Sequence, residues 1–111
     1  MSKSLVSLEN SFLQLKDHLI YPEFGVLSKV IWKSEVCQHS LLCLAENTEI
    51  SEHTSTRHAT VQVLEGTGSL VLKGEKIPLT QGIFIFMEAN APHALEATSN
   101  LAFILTLSSV S

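Results

Sequence analysis

Short apolar runs alternate with polar turn residues along most of the chain. From residue 26 onward about nine such runs recur at intervals of roughly ten residues, and none of them keeps a helical repeat. The runs are Val26–Trp32, Val36–Leu44, Glu49–His53, Ala59–Leu64, Ser69–Leu72, Lys76–Leu79, Ile83–Met87, Ala94–Ala97 and Leu101–Leu107. Short strands at this spacing predict an all-β sandwich or barrel.

The first part of the chain has a different period. Its apolar residues are spaced by three and four positions, as on one face of a helix: Leu5, Leu8, Phe12, Leu15 and Leu19. Pro22 ends the pattern, because a proline cannot continue a helix. We therefore predict a short helix within residues 7–18, although the same residues would also fit an irregular arm.

Several predicted strands are apolar on both faces. Val36–Leu44 and Ile83–Met87 carry apolar side chains at odd and at even positions, whereas a strand with one face in water alternates. Their outer faces need a cover, which either the N-terminal segment or a second subunit would provide. Because only 16% of the residues are charged, we expect a homodimer. Leu64 is predicted to point outward on its strand, so a lysine there should weaken association if that face is buried between the subunits.

Composition narrows the class of protein. A chain of 111 residues fits one domain, residues 1–111, with its barrel core at about 26–108. The seven Lys and Arg residues are scattered and the net charge is −4, so we expect no nucleic-acid partner. No apolar run is long enough for a membrane span and no signal sequence begins the chain, so we expect a cytoplasmic protein. Cys37 and Cys43, about 20 Å apart along one strand, are expected to stay reduced.

Two stretches carry a motif pair. The first is His53 followed by Val61-Gln-Val-Leu-Glu-Gly66, and the second runs from Gly82 to His93. In residues and spacing the chain resembles the cupin superfamily, whose motifs are G-x5-H-x-H-x3,4-E-x6-G and G-x5-P-x-G-x2-H-x3-N. The resemblance implies a jelly-roll barrel (a double-stranded β-helix), and it extends to a group of small, mostly uncharacterised bacterial cupins.

The match to the motifs is partial. His53, Gly66, Gly82 and His93 coincide with motif positions, whereas two motif glycines are replaced by asparagines: Asn47 and Asn90. Asparagine tolerates the left-handed backbone conformation that tight turns require, so these replacements preserve the turns. The other motif positions hold residues of different chemistry: Ser55 for the second histidine, Ala59 for the glutamate, Glu88 for the proline and Ala97 for the asparagine.

The resemblance implies a divalent transition metal (zinc, nickel, iron or manganese) at His53 and His93. Such a metal needs at least three donors, and the third candidate is His58. Because side chains alternate along a strand, His58 points away from His53 unless Thr54–Arg57 loops or bulges. The residues are equally compatible with a pocket that holds no metal.

The barrel interior is expected to hold one small organic molecule. We expect its wall to contain Val61, Val63, Phe84, Phe86, Met87 and Leu95. The resemblance implies dioxygenase-like or isomerase-like chemistry on a small molecule, and the alternative is a non-catalytic sensor or binding module with a degenerate metal site. The sequence leaves open whether the protein is an enzyme.

Overall fold

The computed structural model describes residues 4–110, and nine antiparallel strands make up most of it. The strands are β1 (Val26–Lys33), β2 (Cys37–Leu44), β3 (Glu49–His53), β4 (His58–Glu65), β5 (Gly68–Leu72), β6 (Glu75–Leu79), β7 (Phe84–Met87), β8 (His93–Ala97) and β9 (Leu101–Ser108). Every predicted strand is present, and each end differs from the prediction by one residue at most. Within residues 4–110, no helix is long and apolar enough to cross a membrane.

The strands form two sheets that enclose the core. Sheet A has the order β1-β2-β9-β4-β7 and sheet B has the order β3-β8-β5-β6. From β2 onward the chain passes repeatedly between the sheets, which wraps it around the core as in a jelly roll. The predicted β-barrel is therefore confirmed. Its core consists of Leu44, Ala59, Val61, Val63, Leu70, Leu79, Ile85, Met87, Leu95, Ala97, Leu101 and Phe103.

Tight turns between the strands use the residues that the sequence provides for them. β5 and β6 are joined by Lys73 and Gly74, whose φ angles of 50° and 82° suit a two-residue hairpin. Asn47 and Asn90 have φ angles of 71° and 70°, so both asparagines adopt the left-handed conformation expected from the motif comparison.

The predicted helix within residues 7–18 is wrong apart from one 3₁₀ turn, Leu15–His18. Earlier residues pair with β1 instead, since the N–H groups of Leu5 and Val6 donate to the carbonyls of Val30 and Ile31 at 2.9 and 3.1 Å. Within the predicted span, the N–H of Ser7 donates to the carbonyl of Asn10 at 2.9 Å and the N–H of Asn10 donates to the carbonyl of Ser7 at 3.2 Å, in place of the i to i−4 bonds of a helix. The alternative of an irregular arm is the correct one.

The N-terminal segment covers part of the outer face of sheet A. There Leu19 and Tyr21 pack against a small cluster formed by Leu41, Cys43 and Ala102. Leu64 belongs to the same packing, so its outward face is covered within the chain. Beyond this cover, the described part of the outer face includes the exposed aromatic side chains of Trp32, Phe84 and Phe86.

Candidate functional site

His53 and His93 lie side by side at one end of sheet B. His53 ends β3 and His93 begins β8, and the two residues are directly opposite each other in the antiparallel pair. Their ring centroids are 4.2 Å apart, with an interplanar angle of 64°. A shift of register between Ile50 and His53 precedes this pair, and such a bulge turns a side chain away from regular alternation. Two histidines that are distant in sequence therefore form one imidazole pair.

Hydrogen bonds to the backbone determine which ring nitrogen of each histidine carries the proton. Nδ1 of His53 lies 2.9 Å from the carbonyl oxygen of Ser51, and Nδ1 of His93 lies 2.9 Å from that of Ala91. A carbonyl oxygen can only accept, so each Nδ1 must be an N–H donor. In the neutral rings both Nε2 atoms are left with a free lone pair, which can accept a hydrogen bond or bind a metal.

The imidazole pair borders a cavity of about 140 Å³ between the two sheets. Its walls are otherwise apolar and are formed by Leu42, Ile50, Val61, Leu70, Met87, Leu95, Phe103 and Leu105. Three of the residues expected to line the pocket do so: Val61, Met87 and Leu95. Val63 is buried in the core but does not border this cavity.

Phe84 and Phe86 were expected to line the pocket, and this expectation is wrong. Their side chains are 61% and 55% exposed on the outer face of sheet A. Since Ile85 and Met87 are buried, alternation along β7 must turn both phenylalanines outward. The inward and the outward positions of β7 are all apolar, so hydrophobicity does not indicate which of them face the core.

The wall residues that sequence reasoning missed come from strands β2, β3, β5 and β9. Leu70 is itself buried in the middle of β5, and Leu105 lies at a position of the same parity as the buried Leu101 and Phe103 on β9. Parity alone places such residues in the core. Only the packing of one sheet on the other shows that they border the same cavity as the histidines.

His58 does not join the imidazole pair. Its Nδ1 accepts a hydrogen bond from the backbone N–H of Ala89 at 3.0 Å, and its ring centroid lies 5.5 Å from that of the outward Phe86. The structure thus places His58 on the opposite face of the strand, as alternation requires.

A metal at this site would have two protein ligands within the described chain. No group of three or more His, Cys, Asp and Glu side chains among residues 4–110 could hold a metal ion. Ser55 and Ala59, which occupy the other motif positions, provide no imidazole or carboxylate. The pair fits a metal as two imidazole donors with fixed rings, and water or a bound molecule would have to complete the coordination.

A larger depression of about 570 Å³ lies on sheet B, and its lining includes Glu49, Lys76 and Glu96. These side chains are exposed to solvent, and the depression includes neither histidine of the pair. We therefore place the candidate site at the smaller cavity, where an apolar enclosure meets two polar groups of defined orientation.

Comparison with known proteins agrees with this architecture. A family model described as "Cupin domain" matches residues 40–108. An uncharacterized protein of Aquifex aeolicus (strain VF5) is 33% identical over 70 residues, which are 63% of this chain and 58% of that protein. The chain therefore covers less than two thirds of the length of this relative.

Two solved structures illustrate the range of similar folds. A cupin superfamily protein from Desulfitobacterium hafniense DCB-2 has a TM-score of 0.85 at 20% identity, covering 96% of this chain and 97% of its own. A salicylate 1,2-dioxygenase variant from Pseudoaminobacter salicylatoxidans in complex with gentisate has a TM-score of 0.71 at 19% identity. That match covers 76% of this chain and 25% of the dioxygenase. At these identities the similarity establishes the fold alone.

Proposed function

The chain belongs to the cupin domain family, and from that premise we propose that it binds a small organic molecule inside the barrel, anchored by His53 and His93. One observation carries the proposal: two histidines with free Nε2 atoms border a cavity whose other walls are apolar. An apolar cavity with a few oriented polar groups is the usual composition of a small-molecule site.

The volume of the cavity limits the size of the molecule. At about 140 Å³ it is similar to the engineered apolar cavity of about 150 Å³ that binds benzene. The ligand is therefore about as large as one six-membered ring with a small substituent.

The tautomers of the histidines determine which substituent is preferred. A neutral ring with its proton on Nδ1 offers only an acceptor at Nε2, so the matching ligand group is a hydroxyl donor, as in a phenol. If the rings are protonated, both nitrogens become donors, and a carboxylate becomes the better partner.

The enzymatic form of the proposal adds a divalent transition metal to the same two histidines. It is supported by the hydrogen bonds from Nδ1 to the backbone, which commonly orient metal-binding imidazoles, and by the dioxygenase among the similar folds. When bound, such a metal would act as a Lewis acid toward an oxygen of the ligand. In this form His53 and His93 would hold the metal, and the apolar walls would orient the ligand.

The rival form is a sensor or binding module that performs no reaction. It is supported by Ser55 and Ala59 at the other ligand positions of the motif. Among residues 4–110, the lining of the cavity also contains no carboxylate that could act as a general base beside the histidines.

Calorimetric titrations with phenol and toluene test the anchoring role. The two probes have nearly the same shape, and only phenol can donate to Nε2. A purely apolar cavity prefers toluene, because burying a hydroxyl without a partner costs free energy. We expect the wild-type chain to prefer phenol, the double variant His53→Ala/His93→Ala to reverse the preference because no Nε2 acceptor is left, and His58→Ala to keep it.

If the wild-type chain prefers toluene, the histidines do not anchor the ligand. If neither probe binds at millimolar concentration, the cavity is not a site for ring-sized molecules.

A further inference from the structure

Cys37, His39 and Thr106 form a hydrogen-bonded row on the outer face of sheet A, away from the barrel cavity. Sγ of Cys37 lies 3.4 Å from Nε2 of His39, and Nδ1 of His39 lies 3.0 Å from Oγ1 of Thr106. The strand register explains the row, because Cys37 and His39 share one face of β2 and His39 is directly opposite Thr106 on β9.

Two assignments of protons satisfy the row, because the roles of the ring nitrogens depend on the tautomer of His39. In the one that activates the thiol, Cys37 donates to Nε2 of His39, and Nδ1–H of His39 donates to the hydroxyl oxygen of Thr106. A nucleophile within hydrogen-bonding reach of a base, with the base oriented by a third group, is the arrangement that activates thiols in covalent catalysis. The thiol proton can move to His39 while Thr106 keeps the ring in place.

The row adjoins a groove with mostly apolar walls. The groove has a volume of about 500 Å³ and is lined by Val6, Ser11, Phe12, Leu13, Leu15, Ile31, Trp32, His39 and Ile104. The N-terminal segment forms one side of it and sheet A forms the other. Because His39 is the single ionisable residue that residues 4–110 contribute to this lining, the groove suits an uncharged, apolar molecule.

We propose that Cys37 is a nucleophile, activated by His39, that accepts an acyl group from an apolar ester or thioester held in this groove. Sγ of Cys37 attacks the carbonyl carbon of the ester while its proton passes to Nε2 of His39. The bond from the carbonyl carbon to the leaving oxygen or sulfur then breaks, and the leaving group takes the proton from Nε2. The products are a thioester on Cys37, the free alcohol or thiol, and neutral His39.

Cys43 provides an internal control. It lies on the same face of β2, but its side chain is 2% exposed beneath Leu19 and Tyr21. Burial is the main cause that raises the pKa of the Cys43 thiol, and a protonated thiol is a poor nucleophile. Reaction at Cys37 but not at Cys43 would therefore reflect the environment of Cys37.

The test uses p-nitrophenyl octanoate and p-nitrophenyl acetate with the full chain. Released p-nitrophenolate gives the rate, and peptide mass spectrometry locates the acyl group. We expect one octanoyl group on Cys37, formed about tenfold faster than the acetyl group because the alkyl chain occupies the groove. Phe12→Ala should reduce the octanoate rate and leave the acetate rate unchanged.

Substitutions in the row distinguish a loss of thiol activation from a loss of folding. His39→Gln should slow acylation about a hundredfold, the usual contribution of a general base. Thr106 is a positioning residue, so Thr106→Val should slow acylation by about threefold to tenfold, whereas Thr106→Ser should restore the rate because it keeps the hydroxyl. Thermal unfolding of each variant verifies that the barrel is intact.

Three results would overturn the proposal. They are acylation of Cys43 as fast as that of Cys37, an unchanged rate in a folded His39→Gln variant, and equal rates with the two esters. Because the row lies outside the barrel, the preference for phenol should be the same in Cys37→Ser as in the wild type. Failure of one proposal therefore leaves the other intact.

Discussion

Each histidine of the imidazole pair is held by the backbone two residues before it. Ser51 and Ala91 provide the carbonyl oxygens, and both rings consequently have the same tautomer. A short local contact of this kind, repeated on two strands, orients both rings without a carboxylate partner. The chemistry of the site therefore depends on Nε2 of His53 and His93.

Zinc binding should depend on both histidines and on pH. In the enzymatic form of the proposal, Zn²⁺ binds at neutral pH and its affinity falls in acidic buffer, because a protonated imidazole has no lone pair for a metal. Calorimetric titration should show that His53→Ala and His93→Ala each abolish binding, while His58→Ala retains it. Equal loss in His58→Ala would mean that residues 54–57 bring His58 inward.

Gly66 and Gly82 make a matched pair for testing the turns. Their φ angles are 95° and 93°, but a Cβ on Gly66 would lie 2.0 Å from the carbonyl oxygen of Asn100, while one on Gly82 would meet nothing within 4 Å. We expect Gly82→Ala to lower the free energy of unfolding by about 1 kcal/mol through backbone strain. Gly66→Ala should cost about 3 kcal/mol or more, because backbone must also move. Similar losses in urea unfolding would contradict this account.

At the scale of single residues, the sequence predicts backbone conformation better than it predicts side-chain contacts. The left-handed turns at Asn47 and Asn90 and the outward direction of His58 follow from rules about single residues. The tautomers of His53 and His93 cannot be predicted from such rules, because they depend on where a carbonyl oxygen lies after folding. Phe84 and Phe86 were misplaced because β7 is apolar at every position.

At the scale of elements, strands were predictable and the N-terminal segment was not. Each strand is bounded by turn residues such as Lys73-Gly74, so its ends are marked in the sequence. The segment before β1 has a helical spacing of leucines, yet pairing of Leu5 and Val6 with β1 competes with the helix and prevails. A tertiary contact of this kind leaves no mark in the local pattern.

Docking of the N-terminal segment should be sensitive to alkaline pH through Tyr21. Its hydroxyl donates to a carboxylate oxygen of Glu65 at 2.5 Å. Burial, followed by this hydrogen bond, raises the pKa of Tyr21 well above its ordinary value. Because the folded chain keeps this proton more strongly than the unfolded chain, the stability that it contributes is present below about pH 10 and is lost as the pH rises further.

The wild type should therefore lose more free energy of unfolding above about pH 10 than Tyr21→Phe does. Urea unfolding at neutral and alkaline pH measures the difference. Tyr21 is the single tyrosine of the chain, so tyrosinate absorbance reports this group alone and should appear together with unfolding. Equal losses in the two proteins would mean that the Tyr21–Glu65 contact does not stabilise the docked segment.

At the scale of the whole molecule, self-association stays a prediction. The N-terminal segment covers part of sheet A, and Leu64 packs within the chain, so a lysine at Leu64 would disturb folding and could not report on an interface. The exposed Phe84 and Phe86 are better probes, since their side chains contribute little to the core. A second copy of the chain would bury them in a homodimer.

Light scattering should detect a dimer of the wild type and weaker association of Phe86→Lys. Glu75→Lys, which places the same side chain on sheet B, is the matched control and should associate like the wild type. A wild-type chain that stays monomeric at high micromolar concentration would contradict the prediction.

The central claim is that His53 and His93 act together as one site for a ligand in the barrel. Long-range ¹H–¹⁵N spectra of the histidine rings, recorded before and after addition of phenol at a pH where the rings are neutral, test it most directly. The account predicts the Nδ1–H tautomer for both histidines and a joint shift of their Nε2 resonances with phenol, while His58 stays unchanged. An Nε2–H tautomer at either histidine would contradict it, and so would phenol binding that leaves the Nε2 resonances of His53 and His93 unshifted.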